Sequence, residues 1–272
     1  MPAVPYQGQG PDEITIIGHV GIDETNRRFF VSDHGKLKIF AYDLDSVLTT
    51  PEYQPSVKID MKKKLFPDDY LYLNDTLCIA KIIEPIGNND YKPSVARWNM
   101  ATGEINPMPY EYPDLKKVRF IYAASAEHQL YVQCYTQYDL MTICDFNGNL
   151  KCNIYGPKWV NEKTQTQHYS LGVEFCGDKI LALYSGGDHR TDAYYPTKFL
   201  VFDLNGNYLK TLETGYMITD FCYDKENNRL IINLNDEIQF TYLEFRRDNL
   251  DYISPTVLAM QRNFTIFDYI TN

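Results

Sequence analysis

Val201 to Glu213 reads VFDLNGNYLKTLE, and the fold turns on whether this segment is single or one copy of a series. Phe202 and Leu204 flank Asp203, Asn205-Gly206-Asn207 supplies a turn, and Tyr208, Leu209 and Leu212 resume the apolar pattern. Asn and Gly tolerate the positive φ that tight hairpin turns demand, so the segment reads as strand, turn, strand. The same arrangement recurs at Asp145 with Asn147-Gly148-Asn149 in TICDFNGNLKCNIYG, and at Asn99 with Ala101-Thr102-Gly103-Glu104 in VARWNMATGEINPMP. A weaker copy, KIFAYDLDSVLTT, sets Asp43 before a turn at Leu44-Asp45-Ser46.

A second series runs in register with the first. Short apolar strands occur near Phe29, Leu77, Leu130, Ile180 and Leu230, and from Leu77 onward the steps are 53, 50 and 50 residues. Polar turns precede them, among them Asn74-Asp75, Gly177-Asp178 and Glu226-Asn227-Asn228. A period near 50 with about four strands per unit is the repeat of a propeller blade. The 23 Tyr and 14 Phe suit strands better than helices. The fold class is therefore all-β, a β-propeller of four-stranded antiparallel blades with five blades readable.

Charge and motifs narrow the function. Lys plus Arg number 26 against 36 Asp plus Glu, a net charge of −10, which argues against nucleic acid as a partner because phosphate binding needs a basic footprint. The run Lys62-Lys63-Lys64 reads as a solvated connection. No nucleophile elbow, zincin, Walker or dinucleotide motif is present. The six cysteines show no zinc-type spacing, and most fall within strands as small apolar residues; Cys144 and Cys152 flank a hairpin where a disulfide is one option. No apolar stretch has the length of a transmembrane helix.

The segment Gly8 to Glu13 (GQGPDE), followed by FFVSDHGKLKIFAYDL, KFLVFDLNGNYLKTLE and FCYDKENNRLIINLND, resembles the TolB-like, NHL-type six-bladed β-propellers of bacteria. The resemblance covers nearly the whole chain to about Phe245, and it implies an exported, periplasmic or lipoprotein-anchored parent protein. It also implies that residues 1–13 are the remnant of a first blade. The expected organisation is a single propeller over residues 1–272, with five blades in 14–248 and a tail at 249–272 that closes or packs the ring.

Candidate site residues come from the connections between second and third strands. The longest, Tyr184 to Lys198, offers an acid, a titratable base and a fixed cation in Asp188, His189 and Arg190, with Tyr194 and Tyr195 as aromatic surface. The equivalent connections hold Asp33-His34-Gly35 and Gln137-Tyr138-Asp139, so His34 and Tyr138 join the set. Such connections lie on one face of a propeller, where loops carry binding residues. The innermost strands place His19, Asp69, Arg119, His168 and Asp220 at channel ends; a mixed set that includes Arg119 suits ordinary channel hydrogen bonding or an anionic ligand better than a divalent cation. A connection at Glu84 to Ser94 reads as a mobile loop, and Trp159 in Gly156 to Tyr169 as a contact anchor or inter-blade packing. The functional expectation is a non-catalytic binding or scaffolding propeller for a protein, peptide or glycan partner, without metal or cofactor. The alternative is a metal-dependent lactonase- or lyase-like enzyme with a divalent cation in the channel.

Overall fold

The computed structural model describes Gly8 and residues 13–87, 90–237 and 239–244. The expected remnant at 1–13 and tail at 249–272 lie almost wholly outside the described residues. The chain divides into two compact units, residues 1–133 with 142–152 and residues 134–141 with 153–272.

The fold is a β-propeller, and each blade is a meander in which consecutive strands pair. The first sheet holds β1 (Ile17–Asp23), β2 (Arg28–Asp33), β3 (Lys38–Asp43) and β4 (Ser56–Asp60), with α1 (Leu44–Thr49) between the last two. The second holds β5 (Phe66–Asn74), β6 (Leu77–Gly87), β7 (Asp90–Asn99) and β8 (Glu104–Pro107). The third holds β9 (Phe120–Ser125), β10 (Leu130–Tyr135), β11 (Leu140–Asp145) and β12 (Leu150–Tyr155). The fourth holds β13 (Thr166–Cys176), β14 (Lys179–Asp188), β15 (Lys198–Asp203) and β16 (Tyr208–Glu213). The fifth has three strands among the described residues, β17 (Ile218–Asp224), β18 (Arg229–Leu234) and β19 (Phe240–Glu244). Within the first unit β1 lies beside β5 and β5 beside β9; within the second, β13 lies beside β17. First strands of successive sheets are thus neighbours, as innermost strands must be.

The two Asn-Gly hairpins are built alike. Asp203 accepts hydrogen bonds from the Asn205 and Asn207 amides at 2.9 and 2.8 Å and from Asn207 Nδ2 at 2.8 Å, with Gly206 at φ +85°. Asp145 accepts from Asn147 N, Asn149 N and Asn149 Nδ2 at 2.8, 2.9 and 2.9 Å, with Gly148 at φ +80°. The carboxylate stands in for the strand ladder that the turn interrupts, and glycine supplies the left-handed backbone that other residues resist. Asp203→Ala and Asp145→Ala are each expected to lower the thermal midpoint by a few degrees, and by similar amounts, in fluorimetric melts. Unequal effects would mean that the two turns do different work.

Two readings need correction. The Asp43 turn is a helix, because Asp43 caps it by accepting from Ser46 N at 2.8 Å while Leu44 and Val47, three apart on one face, are buried. The Glu84–Ser94 loop is largely ladder: Glu84 pairs with Lys92 and Pro85 with Tyr91, extending the hairpin of β6 and β7. The disulfide option at Cys144 and Cys152 is not taken up: neither they nor the other four cysteines are disulfide-bonded, in keeping with their reading as small apolar strand residues.

Packing follows the alternation of the strands. In the first unit Phe30, Ile39, Tyr70, Cys78, Ala96 and Trp98 form one core cluster. In the second, Leu181, Phe199, Val201, Phe221, Leu230 and Ile232 form another, with the Phe199 and Phe221 rings edge-to-face at 4.9 Å. Full burial of such a side chain is worth roughly 1.5–3 kcal/mol, so these clusters rather than the turns dominate stability.

Candidate functional site

The second unit brings three connections together. The turn after β10 (residues 136–139), the segment from β12 to β13 (156–165) and the segment from β14 to β15 (189–197) are joined by backbone hydrogen bonds. Thr164 N donates to Gln137 O at 3.2 Å, His168 N to Thr136 O at 2.8 Å and His189 N to Gln165 O at 3.2 Å. Ser170 Oγ donates to Tyr194 O at 3.4 Å. β14 runs further than its apolar pattern implies, since Gln167 pairs with Gly187 and Thr166 with Asp188, so only residues after Asp188 are connection.

The Asp188-His189-Arg190 string lies at the exposed edge of this platform. Asp188 Oδ1 accepts from Arg190 N at 2.9 Å and lies 3.7 Å from His189 Nδ1. His189 Nδ1 is 2.9 Å from Gln165 O, so it carries the hydrogen there. The Arg190 guanidinium and the Lys158 ammonium are exposed, and neither has an ion pair among the described residues. Aromatic surface accompanies them: Tyr155 is exposed with its ring 5.1 Å from Trp159, and the Tyr194 and Tyr195 rings lie 4.2 Å apart, tilted by 32°.

Beneath the platform lies a buried polar cluster that the sequence reading named only in pieces. His168, on β13, and Asp139 are each 1 % exposed. His168 Nε2 is 3.3 Å from Thr164 Oγ1, and Nδ1 is 3.3 Å from Tyr184 Oη. Asp139 Oδ2 accepts from Lys158 N at 2.9 Å, whereas Oδ1, 3.7 Å from His168 Nδ1, accepts no hydrogen bond. Burial holds the His168 imidazole below its ordinary value despite the attraction of Asp139, and Lys158 pushes the same way as burial. Burial, reinforced by Asp139, raises the Tyr184 phenol well above its ordinary value. Tyr138 is buried too, its ring 6.3 Å from Trp159.

The remaining candidates belong to the first unit. His34 is half-buried, its ring edge-on to Phe66 at 5.7 Å and its Nε2 buried without a hydrogen-bond partner. Its neighbour Asp33 is wholly buried and accepts from four amides: Thr15, Ile16, Gly35 and Lys36 at 2.8, 3.1, 2.9 and 3.1 Å. Arg119 clamps the β6–β7 hairpin: it pairs with Asp90, donates to Tyr91 O at 2.7 Å and stacks 3.7 Å over the Tyr91 ring. Of the channel-end set, His19 Nδ1 and Asp69 Oδ1 pair at 2.9 Å, and Asp220 Oδ1 accepts from Phe221 N at 2.8 Å. Among the described residues no three His, Cys, Asp or Glu side chains are grouped to hold a metal ion, and no helix is long and apolar enough to cross a membrane.

Residues 2–76 match a family described as a 6-bladed beta-propeller, DUF5128. No curated protein matches the chain. Among solved structures it is similar to the extracellular domain of the one-component system BT4673 from B. thetaiotaomicron, at TM-score 0.56 and 11% identity over 86% of this chain and 28% of that one. The chain therefore spans little more than a quarter of that relative's length. A nidogen/laminin complex structure is similar at TM-score 0.53 and 10% identity, over 84% of this chain and 75% of that one. At such identities the likeness is one of fold, and it agrees with the propeller built above.

Proposed function

We propose that this protein is a non-catalytic binding or scaffolding propeller whose ligand face is the platform formed by residues 156–165 and 189–197 of the second unit. The observation that carries this reading is that backbone hydrogen bonds fix these connections to one another while Lys158, Arg190 and the Tyr194–Tyr195 pair remain accessible. Connections held rigid by a scaffold present side chains at low entropic cost on binding. The partner is a protein, peptide or glycan rather than nucleic acid, and no metal or cofactor is required. The working place is outside the cytoplasm, as the resemblance to exported propellers implies and as the fold of an extracellular domain accords with.

The test is a set of immobilised neutral and acidic polysaccharides beside an immobilised random-peptide library, probed with the chain and with its Lys158→Ala/Arg190→Ala/Tyr195→Ala variant. The reading predicts binding to one class and at least a tenfold loss in the variant, with melting unchanged and EDTA without effect. Binding to neither class, or binding that survives the triple substitution, contradicts it. Chelator-sensitive melting would favour the metal-dependent alternative.

A further inference from the structure

The turn that joins β4 to β5 carries the longest basic run of the chain, Lys62-Lys63-Lys64. All three side chains are exposed, and none of the ammonium groups has an ion-pair or hydrogen-bond partner among the described residues. Acceptors are not scarce, since 36 acidic residues stand against 26 basic ones. Neighbouring lysines use them: Lys38 faces Asp60 at 3.9 Å, Lys58 pairs with Asp75 at 2.8 Å and Lys81 with Asp68 at 2.7 Å. The charge of the turn is left unanswered.

The turn itself is fixed at both ends. Met61 is packed in the core of the first unit, and its amide donates to Leu37 O at 2.7 Å. Lys62 and Leu65 form a β-bridge, with Leu65 N donating to Lys62 O at 3.2 Å, and Pro67 beyond it is buried. A partner therefore has to order lysine side chains and not the loop that carries them.

Beside the turn, within the first unit, an apolar crevice opens to solvent. Trp98 and Met61 are its buried floor, Ile59, Leu65 and Ile105 are partly exposed walls, and Lys62 lines it as well. Gly103 lines it from the turn before β8, where a Cβ would lie 3.3 Å from Ile59 Cδ1, so the missing side chain keeps the mouth open. The carboxylates close by are engaged: Asp60, also in the lining, faces Lys38, and Glu104 on β8 accepts from Asn106 Nδ2 at 3.2 Å. The crevice has about 250 Å³ of space including its open mouth. Sites that enclose a small molecule run to roughly 300–1,000 Å³, so this one admits a single apolar side chain and not a whole ligand.

We propose that this face of the first unit docks an acidic peptide segment of a partner protein, which seats one apolar side chain in the crevice and sets its flanking carboxylates against Lys62, Lys63 and Lys64. Charge complementarity gives the sign of the partner and the crevice gives its class. A glycan has no apolar side chain to seat, and a nucleic acid backbone needs a wider basic footprint than one turn. Exposed ion pairs add little affinity in water, so the apolar anchor does the holding, while the lysines orient the segment and speed its arrival. The surface shares no residue with the platform of 156–165 and 189–197 and stands whether or not that platform binds a ligand.

Fluorescence anisotropy with the full chain tests this, using labelled peptides that carry Asp and Glu on both sides of one central Leu, Ile, Met, Phe or Ala. At least one apolar centre should bind tenfold more tightly than the Ala-centred peptide. Lys62→Gln/Lys63→Gln/Lys64→Gln and, separately, Ile105→Glu should each weaken that peptide at least tenfold with melting unchanged. Raising salt from about 0.05 to about 0.5 M should weaken it in the unsubstituted chain. The Lys158→Ala/Arg190→Ala/Tyr195→Ala variant should bind it as the unsubstituted chain does, which separates this surface from the platform. No preference for an apolar centre, or binding that survives either substitution, overturns the proposal. So does binding to phosphatidylglycerol vesicles in place of the peptides, which would make the turn a membrane contact. If Ile105→Glu melts early, amide shift mapping of the unsubstituted chain decides: peptide-induced shifts should centre on residues 59–67 and 103–105, and shifts centred elsewhere overturn the proposal.

Discussion

Asp33→Ala is expected to destabilise the first unit by roughly 3–5 kcal/mol, because four amides that share one buried acceptor would lose it together. The carboxylate is fully enclosed, so water does not replace it without opening the strand that follows Thr15 and Ile16. Asp33→Asn should cost less, since Oδ1 alone serves Ile16, Gly35 and Lys36 and an amide oxygen could keep those three. The pH dependence has a definite sign. Burial pushes the Asp33 carboxyl up, but the four amides outweigh it and leave the group below its ordinary value of 3.8. Its contribution is present above about pH 4 and is lost as pH falls through the folded value. Denaturant melts from pH 7 to pH 2.5 should show a shallower acid loss in Asp33→Ala than in the unsubstituted chain; equal slopes would remove Asp33 from this role.

Gly156→Ala carries the second large effect. A Cβ there would fall 2.2 Å from Asp139 Cγ, 2.2 Å from Oδ1 and 2.3 Å from Oδ2. Gly156 N also donates to Asp139 O at 2.8 Å, so the two backbones cannot easily separate. The carboxylate would have to leave its place, overpacking the site and depriving the Lys158 amide of its acceptor, at a combined cost of roughly 2–4 kcal/mol. The contact is specific, which a double-mutant cycle can show: in an Asp139→Ala background the same Gly156→Ala change should cost far less. Additive effects in denaturant melts would place the strain elsewhere.

What the sequence disclosed and what it withheld divide along a physical line. The Asp203 and Asp145 hairpins were legible because every hydrogen bond they need lies within four residues of the aspartate, so composition and order suffice. The second strands of the sheets were legible through the spacing of their apolar runs. The Asp43 helix was not, because an aspartate before Leu-Asp-Ser serves equally to open a turn or to cap a helix, and burial of Val47 decided the matter. Pro85 and Gly87 disguised the extended β6–β7 hairpin as a loop, although its ladder still forms around them.

Burial was the harder lesson at the candidate site. Asp33 and Asp139 sit in polar strings that resemble exposed ligand-contact residues, yet both are enclosed and hold neighbouring backbone. Their partners come from other connections, and Tyr184 meets His168 from 16 residues away on the next strand. No local pattern marks such a meeting. Arg190 and Lys158, by contrast, remain exposed, as polar residues on connections usually do.

Residues that brace the fold are thus distinct from residues left available for a partner, and a single stability scan of the full chain by proteolysis-coupled display tests that separation. Substitutions at Asp33, Asp139 and Gly156 should fall among the most destabilising outside the two apolar cores. Alanine at Lys158 and Arg190 should stay within about 0.5 kcal/mol of the unsubstituted chain. If the exposed connection residues prove as sensitive as the braces, they are part of the scaffold, and the platform is not kept for a ligand.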